Sequence, residues 1–84
     1  MTQSREPVSA QSVDQIADLV VSALRELASR PDPRAFEALL QVSEETGHCL
    51  GLSARTLAES GSWSQVADVA GTTKQAAWSR WRQP

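Results

Sequence analysis

Apolar positions recur along most of this chain at intervals of three and four residues, a spacing that predicts helices rather than strands. Val13, Ile16, Val20, Ala23 and Leu27 form the first such stripe, flanked by Ala17 and Leu24. Ser12 stands just ahead of it with Gln15 three residues later, the pattern of a capping box, so a first helix is expected from about Ser12 to Ser29. Arg25 and Arg30 lie towards its C-terminal end, where a cation suits the helix dipole. Leu19 and Val21 fall off the stripe and point to a second apolar surface on the same helix. Pro31-Asp32-Pro33 then ends it, because proline cannot donate to the ladder and disfavours the helical conformation before it.

A second helix is expected to open at Asp32, a good cap, with Pro33 in the first helical position. Phe36, Leu40, Ser43, Gly47, Leu50, Ala54 and Leu57 hold one register for six steps. Gly47 and Gly51 oppose a continuous helix, each costing ~1 kcal/mol against alanine. Two forms are open, one helix over residues 33–60 or two with a joint at Gly47–Gly51, and the unbroken register favours a continuous or mildly kinked helix. The two long stripes predict an antiparallel hairpin across Pro31-Asp32-Pro33. Gly61 is expected to end the second helix in the left-handed conformation, and Ser62-Trp63-Ser64-Gln65 reads as a capping box for a third helix to about Val69. After Gly71, Thr72-Thr73-Lys74-Gln75 reads as another box, opening a fourth helix to about Arg82. The fold class is therefore all-α: a polar, disordered tail over residues 1–10, then a four-helix domain over residues 11–84.

Composition narrows the class further. Aromatic residues are 5% of the chain, with no Tyr and one Phe, so the core must rest on Leu, Val, Ile and Ala. Cys49 is the only cysteine, which excludes an intrachain disulfide framework. The first residues lack a signal-type apolar stretch and nothing reaches the ~20 apolar residues of a membrane helix, so a cytoplasmic location is expected. Charge is unevenly placed. The formal net charge is −2, but residues 1–60 hold five basic and nine acidic residues, whereas Lys74, Arg80 and Arg82 face only Asp68 beyond Gly61. The positive charge that phosphates attract sits on the last helix. His48 and Cys49 do not make a zinc site, since adjacent helical residues diverge and four ligands are needed. No nucleophile set, glycine-rich phosphate loop or spaced carboxylate pair emerges, so neither an enzyme nor a cofactor or metal site is expected.

Val66-Ala67, Ala70-Gly71 and Thr73-Lys74-Gln75-Ala76-Ala77 together resemble the bacterial helix-turn-helix family of DNA-binding regulators. The resemblance covers Trp63–Arg82, roughly the last quarter of the chain. Ala67 stands four residues before Gly71, where the family places a small residue at the helix crossing, and Thr73 opens the recognition helix. Thr72 departs from the family, which carries Val or Ile after the glycine. The resemblance implies a helix-turn-helix at residues 62–82 whose last helix enters the major groove of double-stranded DNA.

Each candidate residue has a sharper and a plainer reading. Lys74 is expected to reach a guanine or a phosphate rather than serve only as surface charge. Gln75 either reads an adenine or folds back as the reciprocal cap, but not both. Thr73, Ser79 and Ser64 can donate to DNA or simply solvate the helices. Arg80 and Arg82 are expected to anchor phosphates. Trp78 can pack on the long helix, stack with Arg82 or touch a thymine methyl; Trp63 and Trp81 belong to the core. The expected protein is a small homodimeric transcriptional regulator binding double-stranded DNA, since two-fold pairs read paired half-sites. The alternative is a helical module that docks on a larger regulatory protein, for which the acidic total argues.

Overall fold

The computed structural model describes residues 6–84, and they form four α-helices. The first five residues of the expected tail lie outside the described residues, and Val8–Ala10 make a single exposed 3-10 turn. Helix α1 spans Val13–Ser29, α2 Pro33–Ser60, α3 Trp63–Ala70 and α4 Lys74–Trp81. The chain divides into two compact units, Met1–Leu40 and Gln41–Pro84, with the division falling inside α2.

Local chemistry sets the ends of the helices. The Ser12 side chain accepts from the Gln15 amide while Gln15 accepts from the Ser12 amide, completing the box read from sequence. The Asp32 carboxylate accepts from the Arg34 amide at 2.9 Å, and Pro33 follows as the first residue of α2. The 28 residues of α2 form one helix, unbroken at either glycine.

In the first unit, helix formation produces little burial. No residue of α1 is buried, and between Glu6 and Leu40 only Ala35 is. The buried core expected of two long stripes is therefore missing here. The half-buried residues of α1 are Ile16, Leu19, Leu24 and Leu27, rather than the stripe through Val13, Val20 and Ala23. Val13, Val20 and Val21 are exposed.

The second unit holds the core. Ala54 of α2, Val66 and Ala67 of α3 and Ala77 of α4 are buried together, with Leu57, Ala58, Trp63 and Trp81 packed around them. Small side chains dominate because the helices approach closely, and the two tryptophans supply the bulk at the margin. Gly51, which reads in the sequence only as a cost to α2, is buried here. A Cβ at that position would lie 3.1 Å from Nη1 of Arg55 and 3.8 Å from Cδ1 of Trp81. A side chain here would press on the Arg55 guanidinium and stand in ordinary contact with Trp81.

Candidate nucleic-acid interface

The site is the corner between α3 and α4, and one glycine shapes it. Gly71 has φ 68° and ψ 37°, the only left-handed residue among those described. The Gly71 amide donates to the Asp68 carbonyl and the Thr72 amide to the Ala67 carbonyl, the two bonds of a Schellman motif. Gly61 does not adopt the left-handed form expected of it. A Cβ there would displace the flexible end of the Gln65 side chain and approach the Leu57 carbonyl at 3.2 Å.

Both short helices are capped by hydroxyls. The Ser62 side chain accepts from the Gln65 amide at 3.2 Å and the Thr73 side chain from the Ala76 amide at 3.1 Å. The second assignment corrects the box expected at Thr72. Helix α4 starts one residue later, so Thr73 is the cap and Ala76, not Gln75, occupies the third helical position. Gln75 is thereby released from the capping role, and its Nε2 donates to Oγ of Ser79 at 3.4 Å.

Ala77 is 0% exposed and pins α4 against α3, with Trp81 half-buried one turn on. At about 100° per residue, the positions opposite this seam are Gln75, Ser79 and Arg82. Lys74 and Trp78 flank that ridge on one side, whereas Arg80 lies on the other. All six are exposed. Trp78 does not bury itself on the long helix: it is 40% exposed, with the Arg82 guanidinium 4.3 Å from its ring centroid. This is the Arg82 stack weighed in the sequence. The Arg80 guanidinium lies 5.1 Å from the ring centroid of Trp81. Ser64 is exposed in the first turn of α3. The structure thus gathers Gln75, Ser79, Trp78 and Arg82 along one side of α4 and sets Arg80 apart from them.

The charges of the corner are unpaired. Among the described residues the only ion pair is Arg30 with Glu26 in α1, so no carboxylate lies within 4.0 Å of Lys74, Arg80 or Arg82. Neither α3 nor α4 has an acidic residue in its first turn, and α4 instead begins with Lys74. At its other end α4 is held by Arg55 of α2, whose Nη1 donates to the Trp81 carbonyl at 3.1 Å and the Gln83 carbonyl at 3.0 Å. A cation at a helix C-terminus satisfies orphan carbonyls and the dipole together. Sequence reading missed Arg55; its signal was a cation four residues after Gly51, beside the apolar stripe. Arg82, Arg55, Ala58, Glu59 and Trp63 line a shallow groove beside this end.

Among the described residues no cluster of His, Cys, Asp or Glu suits a metal ion, and no helix is long and apolar enough to cross a membrane. Comparison with protein-family models, curated proteins and solved structures gives no match.

Proposed function

We propose that this chain is a double-stranded DNA-binding protein in which α4 enters the major groove and reads sequence, as a small transcriptional regulator does. The observation that carries the reading is the inverted polarity of α4. Its N-terminus, already the positive end of the dipole, bears Lys74 and no acid, and its three cations have no carboxylate partner among the described residues. Positive charge placed there works against helix stability and in favour of a bound anion.

Roles follow from position. Gln75 and Ser79 lie centrally on the exposed ridge and contact base edges; Lys74 at the N-terminal turn reaches a base or a phosphate. Arg82, supported on Trp78, and Arg80 on the other flank bind backbone phosphates. Thr73 keeps its hydroxyl proton free to donate while its oxygen caps the helix, and Ser64 approaches the backbone from α3. The acidic remainder of the chain repels DNA and limits contact to this face.

Fluorescence anisotropy against random-pool duplex and selected duplex, over a salt series, tests the reading. Lys74→Ala and Arg82→Ala are each expected to weaken binding and to lower the slope of log K against log salt by about 1, the loss of one phosphate contact. Binding that matches wild type in both variants overturns the assigned face. An absence of DNA affinity at low salt, with retention of one host protein, would favour the docking module instead, for which exposed Trp78 and Arg82 are apt anchors.

A further inference from the structure

We propose that the open apolar face of α1 is a homodimer interface, in which α1 pairs antiparallel with α1 of a second copy. Val13, Ala17, Val20, Val21, Leu24 and Ala28 fall within one sector of α1 about 100° wide. It lies beside the line Ile16, Leu19, Leu27; that line and Leu24, on the midline of the sector, are half-buried, while the rest of the sector is exposed. On the open sector, Val13 is 82% exposed, Val20 47% and Val21 42%. A 17-residue amphipathic helix with no fully buried residue leaves the apolar area of this sector largely open among the described residues.

The occupant is identified by self-complementarity. With the two-fold axis between residues 20 and 21, Val20 meets Val21, Ala17 meets Leu24 and Val13 meets Ala28 of the second copy, so large side chains face small or equal ones. The charges obey the same symmetry. Asp14, Asp18 and Arg25 flank the sector on one side, and none of them is in an ion pair among the described residues. The antiparallel register sets Arg25 of the second copy between Asp14 and Asp18, each half a turn away, twice per dimer. A parallel two-fold pairing would instead set this flank against the opposite one, the side of Ile16, Ala23 and Leu27, and leave Arg25 away from both aspartates. The sector offers on the order of 400 Å² of apolar surface per copy, so two copies approach the roughly 900 Å² of apolar area in a standard-size interface.

This interface uses α1 alone and stands or falls apart from DNA binding, so it is tested without DNA. Sedimentation equilibrium of the full chain at micromolar concentration is expected to give a dimer. Val20→Glu should weaken the dimer by more than about a hundredfold, since it places two carboxylates in the central layer. Arg25→Glu should weaken it roughly tenfold, with no loss of helicity because the residue is exposed. The charge exchange Asp14→Lys, Asp18→Lys, Arg25→Glu should restore it, which a merely structural role for Arg25 would not. A monomeric wild type, a dimer indifferent to both single variants, or an exchange that fails to restore pairing each overturns the proposal.

Discussion

Alanine at Gly71, in the corner after α3, and at Gly47, inside α2, should change stability with opposite signs, and the signs can be worked from geometry. Gly71 sits at φ 68°, and a Cβ built there meets nothing within 4 Å, so its cost is purely that of the backbone. The left-handed form costs a residue bearing a Cβ about 1–2 kcal/mol. Restricting the unfolded chain returns part of that, leaving Gly71→Ala destabilised by about 1 kcal/mol. Gly47 is also free of neighbours within 4 Å, but it lies inside α2 with no positive φ. Gly47→Ala therefore gains helix propensity with no steric charge against it and should be stabilised by about 0.5–1 kcal/mol. Gly51→Ala gains the same propensity but presses on Arg55 at 3.1 Å, so it should fall between the two. Urea unfolding followed by circular dichroism, with melting curves alongside, measures all three. In a domain of this size 1 kcal/mol moves Tm by roughly 4–8 °C, so the spread between Gly47→Ala and Gly71→Ala should be plain. Equal signs for those two variants would refute the assignment of Gly71 to a left-handed corner and of Gly47 to an open helix face.

Two further outcomes rest on the N-terminus of α4. Thr73→Ala should cost about 1 kcal/mol and Thr72→Ala close to nothing, because only the Thr73 hydroxyl accepts from the Ala76 amide; equal costs in urea unfolding would return the cap to Thr72. Lys74→Glu should raise stability by several tenths of a kcal/mol through the dipole while abolishing DNA binding, and a variant that loses both or keeps both contradicts the inverted-polarity argument.

The helix pattern was legible because each element carries its own punctuation. Ser12 with Gln15, Asp32 with Pro33, and Gly71 are local signals, and local signals need no knowledge of the rest of the chain. The unbroken register through Phe36 and Leu57 likewise revealed that α2 is one helix, since a periodic stripe outweighs two isolated glycines. What misled was any inference that depended on which face meets what. The stripe through Val13 and Val20 has the best spacing in α1, yet Leu19 and Leu24 are the covered residues and Val13 is open. Several stripes fit so apolar a helix, and only its neighbours choose among them. Gly61 reads as a left-handed terminus, yet it has no positive φ, and the backbone neighbour at its Cβ position is the Leu57 carbonyl. Threonine twice in succession offered two caps one residue apart, a choice that depends on where Gly71 releases the chain. Arg55 escaped notice and Gly51 read only as a cost to α2 because their surroundings are non-local, formed once Trp81 and Gln83 return beside them.

The two ends of α4 are treated differently, and the difference separates folding from binding. At the C-terminal end the carbonyls of Trp81 and Gln83 receive the Arg55 guanidinium, so that end is satisfied within the molecule. At the N-terminal end Thr73 caps one amide, while the amides of Lys74 and Gln75 have no partner among the described residues and Lys74 adds a cation beside them. The two long helices supply acid at such positions, whereas α3 does not: Asp14 lies in the first turn of α1 and Asp32 caps α2. An eight-residue helix has little intrinsic stability, so placing Lys74 against the dipole consumes a margin that α4 recovers only through Ala77, Trp81 and Arg55. Unpartnered first-turn amides are common to every helix, so what distinguishes this end is the cation set among them with no acid beside it. On the proposed DNA-binding reading, a phosphate approaching the Lys74 end would complete the helix cap and neutralise the cation in one contact.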